Sequence, residues 1–353
     1  MQLPLRIGTQ NPKKHSNNFY HQIQWYSKNL ALNTQSIEID SLLTLHDRVI
    51  NFTRKKHGEV LSVAHPFIYK GPSTVGVSSY AFKQVTNALK SGALKSGILS
   101  GNQLTLAYKN IPPQYFSLHH ALSLSFHVES AINPNIKDKK INAQIDYIYQ
   151  RLELTREKLK RSCDIDSRIV FASNISNSDS TSPNQHAPGA GFFQSQFKKH
   201  FPRLVIKLLE NKNNNNLDSD WRNQADQLIG LGRGTTPSGD DMIHGCFIAL
   251  NWLKQLELYA AEVPQFSEKL LRHYQQKTTK MGVHMLSTGT QGQTPEPVLD
   301  YIKLLTSNNN FEVPSNIDSI STPFERVSQM GHSTGLDILT GFTYTALKAL
   351  NEI

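Results

Sequence analysis

Cysteine is almost missing from this chain. Its 353 residues hold two, Cys163 and Cys246. Neither sits in a Cys-x-x-Cys pair, which excludes a disulfide framework and a zinc knuckle. Long apolar runs are missing as well. No stretch reaches the roughly 18 apolar residues that would cross a bilayer. The first residues, MQLPLRIGTQNPKKHSNNFY, lack the apolar centre of a secretory signal. Together these absences predict a soluble, cytoplasmic protein. Acidic charge is in deficit too: 37 Lys and Arg against 28 Asp and Glu give a net charge of +9. Yet the basic residues form only small knots, at Lys13-Lys14, Arg54-Lys55-Lys56, Lys139-Lys140 and Lys198-Lys199. Without a basic tract or a basic–aromatic repeat, the charge argues against nucleic acid or a membrane as partner and leaves small anions.

The front of the chain reads as strand-rich. GEVLSVAHPFIYK (58–70), PSTVGVSSY (72–80) and NQLTLAYKN (102–110) are runs of β-branched and alternating residues with Gly, Pro or Asn at their ends. AFKQVTNALKSG (81–92) reads as a short helix stopped by Gly92. A longer one follows at 141–162, with Ile141, Ile145, Ile148, Leu152 and Leu159 on one stripe. Residues 173–191 are rich in Ser, Asn, Pro and Gly and read as a linker; 211–216 and 306–310 read as polar surface loops. Beyond them helical spacing dominates, over about 193–210, 219–229, 241–256, 264–279, 296–306, 323–330 and 335–351. Thr322-Pro323-Phe324-Glu325 carries the residues of a helix start. The expected class is α+β: a β-rich part over 1–140, a helix and polar linker over 141–190, and a helical domain over 191–353.

That helical domain contains one pattern twice. Ser238-Gly239-Asp240-Asp241-Met242-Ile243-His244-Gly245 and Thr334-Gly335-Leu336-Asp337-Ile338-Leu339-Thr340-Gly341 both read [Ser/Thr]-Gly-x-Asp-[Met/Ile]-[Ile/Leu]-x-Gly. Each follows loop-forming residues and leads into an apolar run, so two similar helix starts are expected. The shared positions could do no more than cap: Ser238 with Asp241 and Thr334 with Asp337 resemble capping boxes, and Gly245 and Gly341 would let two helices come close. Capping does not account for Gly230, Gly232, Arg233 and Gly234, which precede the first copy, or for the second carboxylate, Asp240. Glycine-rich turns at helix N-termini present backbone amides to anions. Aspartates beside such a cradle suit either a phosphate held with Mg²⁺ or a ligand bringing its own donors, such as an amide or ureido group.

Familiar loops do not fit. Asp240 follows Gly239 where a Walker loop needs lysine, a helical pattern precedes the turn where a dinucleotide fingerprint needs a strand, and the Gly-x-Ser-x-Gly elbow is absent. His244, one helical turn past Asp240, is a candidate to share its ligand, and His332 flanks the second start. His119, His120 and His127 show no metal-ligand spacing, Thr278-Thr279 reads as a helix end, and Cys246 reads as core.

These segments together resemble a bacterial family that includes AllH of the allantoin-degradation cluster. The carrying residues are Gly230–Gly245, the Thr278-Thr279 pair and Gly331–Gly341, with Gly71-Pro72-Ser73-Thr74 as a weaker upstream match. The resemblance implies a subunit of an oxamate carbamoyltransferase, working with FdrA-like and AllG-like partners. That enzyme splits oxalurate with phosphate into oxamate and carbamoyl phosphate, which carbamate kinase then uses. On this basis Gly232, Gly234 and Thr235, with Arg233, are expected to cradle the anion, beside Ser238, Gly239, Thr334 and Gly335 of the helix starts. Asp240, Asp241 and Asp337 would orient the carbamoyl NH₂ or hold a metal, and His332 and Ser333 would face the carbonyl. Arg233-Gly234-Thr235-Thr236 stands where the family more usually has Leu-Thr before the proline. A non-catalytic metabolite-binding assembly protein and a Mg²⁺-dependent phosphoryl-transfer or hydrolytic enzyme remain open beside it.

Overall fold

The computed structural model describes residues 20–27, 37–45, 48–54, 60–65, 70–92, 94–100, 103–117, 122–125, 128, 138–162, 166–171, 190–210, 220–259, 262–306 and 321–351. The first nineteen residues, Cys163, His119, His120, His127 and most of the three expected loops lie outside the described residues.

The chain is α+β. Its front supplies strands β1 (Tyr20–Ser27), β2 (Ile37–Leu45), β3 (Val49–Arg54), β4 (Val60–Ala64) and β5 (Thr74–Val77), then helix α1 (Ser79–Ser91), then β6 (Leu94–Ser100), β7 (Gln103–Tyr108), β8 (Gln114–Ser117) and β9 (Leu122–Leu124). The pairing order runs β5-β4-β3-β2-β6-β7-β8-β1, and β1 pairs back onto β5. The strands therefore close into a ring, with β9 continuing alongside β1 past the end of β8. Closure removes the open edges that a sheet of this size would otherwise expose.

Strand alternation decides which residues fill it. In β3, Ile50 and Phe52 are fully buried in one apolar cluster, and in β4 Leu61 and Val63 join them. Val75, Val77, Leu104, Leu106 and Phe116 complete the set, and α1 adds Phe82, Val85 and Ala88. The intervening residues of β3 and β4, namely Val49, Asn51, Thr53, Ser62 and Ala64, point to the opposite face. Polar side chains at these well-covered positions signal a second packing partner.

The partner is helical. It comprises α2 (Asp138–Arg161), a short 3-10 turn at Asp166–Phe171, α3 (Ala190–Glu210), α4 (Asp220–Ala225), α5 (Ser238–Gln255), α6 (Glu268–Gln275), α7 (Lys280–Thr290), α8 (Glu296–Thr306), α9 (Ser321–Ser328) and α10 (Thr334–Leu350). Of the expected α2 stripe, Ile148, Leu152 and Leu159 are fully buried, with Ile145 packed beside them; the Ile141 side chain lies outside the described residues. Two departures stand out. The helix expected over 264–279 is shorter, and Thr279 does not end it. The Thr279 hydroxyl accepts the Gly282 N–H at 2.9 Å and so caps a further helix, α7. Glycines and β-branched residues in KMGVHMLSTGT weaken the helical signal there.

Helices α5 and α10 form the centre. Both are buried nearly all round, as expected of helices apolar on every side. Cys246 lies in that core, as the sequence suggests. The strand ring docks against this bundle through Ala64 of β4 and Val128, which belong to the helical cluster. Backbone bonds from Glu296 N–H to the Lys70 carbonyl (2.8 Å) and from Val128 N–H to the Gly292 carbonyl (2.9 Å) hold the two parts together.

Candidate functional site

The two copies of the repeated pattern meet. The hydroxyl of Thr236, just before the first helix start, lies 2.9 Å from that of Thr334, which opens the second. Their construction is the same in detail. Leu231 N–H donates to Leu228 O and Met330 N–H to Val327 O, each at 2.9 Å. Gly232 and Gly331 then turn the chain with positive φ, 128° and 62°. Gly239 N–H returns to Leu231 O at 2.8 Å, and Gly335 N–H to Met330 O at 3.1 Å. The Leu228 carbonyl sits on Gly239, and the Val327 carbonyl on Gly335, where any Cβ would collide. The repeat thus reaches back beyond the eight matching letters. The copies differ in their loops, Arg233–Ser238 in the first against His332–Thr334 in the second.

Neither helix start is a capping box. Pro237 and Ser333 occupy the cap positions, and neither makes a side-chain cap bond. The aspartates point elsewhere and are fully buried. Asp240 accepts the Gly230 N–H at 2.8 Å and the Thr278 hydroxyl. Asp337 accepts the Ser167 hydroxyl through Oδ1 and leaves Oδ2 without a bond. Neither oxygen of Asp241 has a well-aligned hydrogen bond among the described residues, although the Thr236 and Thr334 hydroxyls lie close enough to act on it. Burial raises all three pKa values, Asp240 and Asp337 to about 6 and Asp241 well above the usual carboxylate range. Asp337 and Asp240 push Asp241 further up by charge repulsion, while the hydroxyls of Thr236 and Thr334 pull it back. The hydroxyls of Ser238 and Ser333 do the same for Asp337, after that of Ser167. Each Asp therefore has hydroxyls from both repeats beside it: Thr236 and Thr334 at Asp241, Ser238 and Ser333 at Asp337.

Thr278 and Thr279 tie α7 to the first copy. Thr278 reaches Asp240, and the Thr279 hydroxyl donates to the Thr235 carbonyl at 2.5 Å. His244 shares no ligand with Asp240. Its Nδ1 lies 2.7 Å from the Met285 carbonyl and its Nε2 3.0 Å from the Thr294 hydroxyl. It is fully buried, and burial lowers its pKa to about 4. A carbonyl can only accept, so Nδ1 carries the proton and the ring is a neutral packing element.

Thr235, Thr236, Gly331 and Thr334 line one wall of a cleft of about 770 Å³. Met281, His284 and Thr288 of α7 lie beside them, with Pro295–Pro297 and Arg326 near the rim. The opposite wall is the outer face of the strand ring: Arg48, Val49, Asn51, Ser62, Ala64 and the turn Lys70-Gly71-Pro72, with Thr74. In that turn Ser73 holds a left-handed backbone, φ 53°, a conformation that costs energy outside glycine. Among the described lining residues Arg48, Lys70 and Arg326 are basic and Glu296 is acidic. Lys70 lies 3.4 Å from Glu296, and Arg326 2.6 Å from Asp300. Arg48 is exposed and makes no ion pair with a described residue.

Of the residues expected to bind ligand, Thr235 and Thr334 line the cleft. Asp241 lies behind the hydroxyls of Thr236 and Thr334, while Asp337, Ser238, Gly239 and Gly335 belong to the buried helix starts and do not line the cleft. Gly232 and Ser333 are half-buried in the turns, while Arg233, Gly234 and His332 are exposed beside them. Among the described residues no group of three His, Cys, Asp or Glu side chains could hold a metal ion. Of the strand-side wall the sequence offers Gly71-Pro72-Ser73-Thr74, as a weak family match, and Gly71, Pro72 and Thr74 do line it. Sequence reading missed Arg48 and Lys70, and also the signal in the polar Asn51 and Ser62 alternating with apolar residues in strands.

Residues 228–346, roughly a third of the chain, match the model of a family described as oxamate carbamoyltransferase subunit AllH. The segment contains both repeats and α7. No solved structure matches the chain. Within the described residues no helix is long and apolar enough to cross a membrane.

Proposed function

We propose that this chain, whose residues 228–346 match the AllH model, works as one subunit of a carbamoyltransferase in purine nitrogen catabolism. Its substrates are oxalurate with phosphate, or oxamate with carbamoyl phosphate in reverse, and its partners are FdrA-like and AllG-like chains. The observation that carries this reading is the meeting of Thr236 and Thr334 at the cleft wall. Two helix N-termini converge there, with hydroxyls facing the cleft and carboxyls behind.

The chemistry asks little of the protein beyond placement. A phosphate oxygen attacks the ureido carbonyl carbon of oxalurate, the C–N bond to the oxamate part breaks, and the phosphate proton passes to the leaving nitrogen. No protein nucleophile is required, so rate comes from positioning and from stabilising the carbonyl oxygen as it gains charge. The Thr235 backbone and the hydroxyls of Thr236 and Thr334 contact the reacting groups. Asp241, held toward its neutral form, orients those two hydroxyls from behind; Asp337 does the same through Ser238 and Ser333. The exposed loop Arg233-Gly234 and His332 flank the opening, where incoming anion and partner chain both approach.

Reconstitution tests this. The purified chain is incubated with oxalurate and phosphate, with and without FdrA-like and AllG-like partners, and carbamoyl phosphate is measured. Turnover only in the full mixture is expected. A mixture equally active without this chain, or one whose rate ignores it although it binds oxamate, overturns catalysis in favour of a ligand-sensing role.

A further inference from the structure

The cleft has two unlike poles. Behind Thr236 and Thr334 stands the buried carboxyl of Asp241, whose two oxygens accept no well-aligned hydrogen bond from the described residues. That end offers the cleft hydroxyls backed by a buried carboxyl, so a neutral amide or carbamoyl group suits it better than an anion. The strand-ring wall is the reverse. Arg48 enters from the residue before β3, its carbonyl fixed by the His65 N–H at 2.8 Å, and its guanidinium pairs with no carboxylate among the described residues. Lys70 and Arg326 are already partnered by Glu296 and Asp300. Beside Arg48 on that wall lies the cross-strand pair Asn51 and Ser62, joined by a 2.6 Å bond from the serine hydroxyl to Asn51 Oδ1. A guanidinium holds a carboxylate through two parallel bonds, which fixes orientation as well as charge.

We propose that Arg48, on the strand ring and outside the family-matched segment, anchors the carboxylate of a short ligand whose other end, an amide or carbamoyl group, faces Thr236 and Thr334. The front of the chain is then half of the binding site and sets specificity for α-oxo-carboxamides over neutral ureas. This rests on the carbamoyl-transfer reading for the identity of the amide end, but the anchor itself rests on the charge layout of the cleft. With a volume near 770 Å³ the cleft has room for phosphate beside such a ligand, in keeping with pockets of about 300–1,000 Å³ for small molecules.

The test uses the full chain and calorimetric titration with four probes: oxamate, oxalate, acetamide and inorganic phosphate. Arg48→Met should weaken oxamate and oxalate at least tenfold, in line with about 1.5–3 kcal/mol for a charged hydrogen bond. It should leave phosphate binding and the melting point unchanged, and Arg48→Lys should recover part of the loss. Equal oxamate affinity in wild type and Arg48→Met overturns the anchor while leaving carbamoyl transfer standing. Oxalate binding that needs Arg48, with no binding of oxamate, keeps the anchor and removes the carbamoyl reading. No carboxylate binding to the wild type at millimolar concentration overturns both.

Discussion

Gly341 lies directly on the backbone carbonyl of Met242, and one repeat away Gly245 lies on that of Ile338. The two contacts are the same contact seen from either helix, because Met242 and Ile338, like Gly245 and Gly341, occupy equivalent positions in the repeat. This reciprocal crossing sets how closely α5 and α10 approach, and so brings the hydroxyls of Thr236 and Thr334 within 2.9 Å.

A methyl group at either glycine meets backbone, which cannot rotate away. Gly341→Ala should therefore cost about 3 kcal/mol, the upper end of ordinary overpacking, read as a lower urea midpoint. Gly234→Ala is the control: its φ of 99° disfavours a side chain, but nothing stands in the way. About 1–2 kcal/mol is expected there. Equal losses for the two variants would refute the close crossing.

Asp241→Asn should separate from wild type as pH rises. Burial and the neighbouring carboxyls hold the Asp241 pKa above its unfolded value. Between the two values the folded state binds more protons, so this group's contribution to stability falls as pH climbs from about 4. Asparagine does not titrate. The variant should match wild type near pH 4.5 and melt higher at pH 8. Asp240 and Asp337, raised to about 6, add a trend of the same sign that is largely common to both proteins. A variant less stable than wild type at pH 8 would mean that ionised Asp241 is held by a counter-charge.

The sequence discloses the two helix starts because their chemistry is local: [Ser/Thr]-Gly-x-Asp must stay together to build each turn. It discloses their meeting only indirectly, through Gly245 and Gly341. The extension of the repeat to Leu228 and Val327 is hidden, since a backbone carbonyl serves the contact and any side chain can carry one. Helix α7 is hidden for a different reason. Gly282 and Gly289 lower its intrinsic propensity, yet tertiary packing requires them, against Asp240 and against the His244 ring. The strand-side wall needs the pairing of β3, β4 and β5 to gather Arg48 and Lys70, and no short window of sequence contains that information. Asn51 and Ser62 pair across β3 and β4, a relationship that only register reveals.

His244 should behave as structure rather than chemistry. Burial lowers its pKa to about 4, below the unfolded value near 6.5. The stability it contributes is complete above the unfolded value and is lost as pH falls toward 4, opposite in sign to the aspartates. Its ring carbons, followed by NMR, should show no titration between pH 8 and pH 5. His244→Phe strands the Met285 carbonyl and the Thr294 hydroxyl and should cost about 2–4 kcal/mol. A ring that titrates near pH 6.5 would contradict the neutral assignment.

Thr334→Val tests the paired hydroxyls with almost no change of shape. Valine fills the same volume, so the melting point should shift by about 1 kcal/mol or less, the net value of one hydrogen bond. The reconstituted carbamoyltransferase should lose about a hundredfold in kcat, as when one oriented donor is removed from a reacting carbonyl. KM for oxalurate should change little if Arg48 holds the carboxylate end. Thr334→Ser keeps the hydroxyl and should restore most of the rate, and Thr236→Val should repeat the loss without adding to it in the double variant, because the two hydroxyls act as one unit. Full additivity in the double variant would show that Thr236 and Thr334 work separately, and their 2.9 Å meeting would then be packing alone.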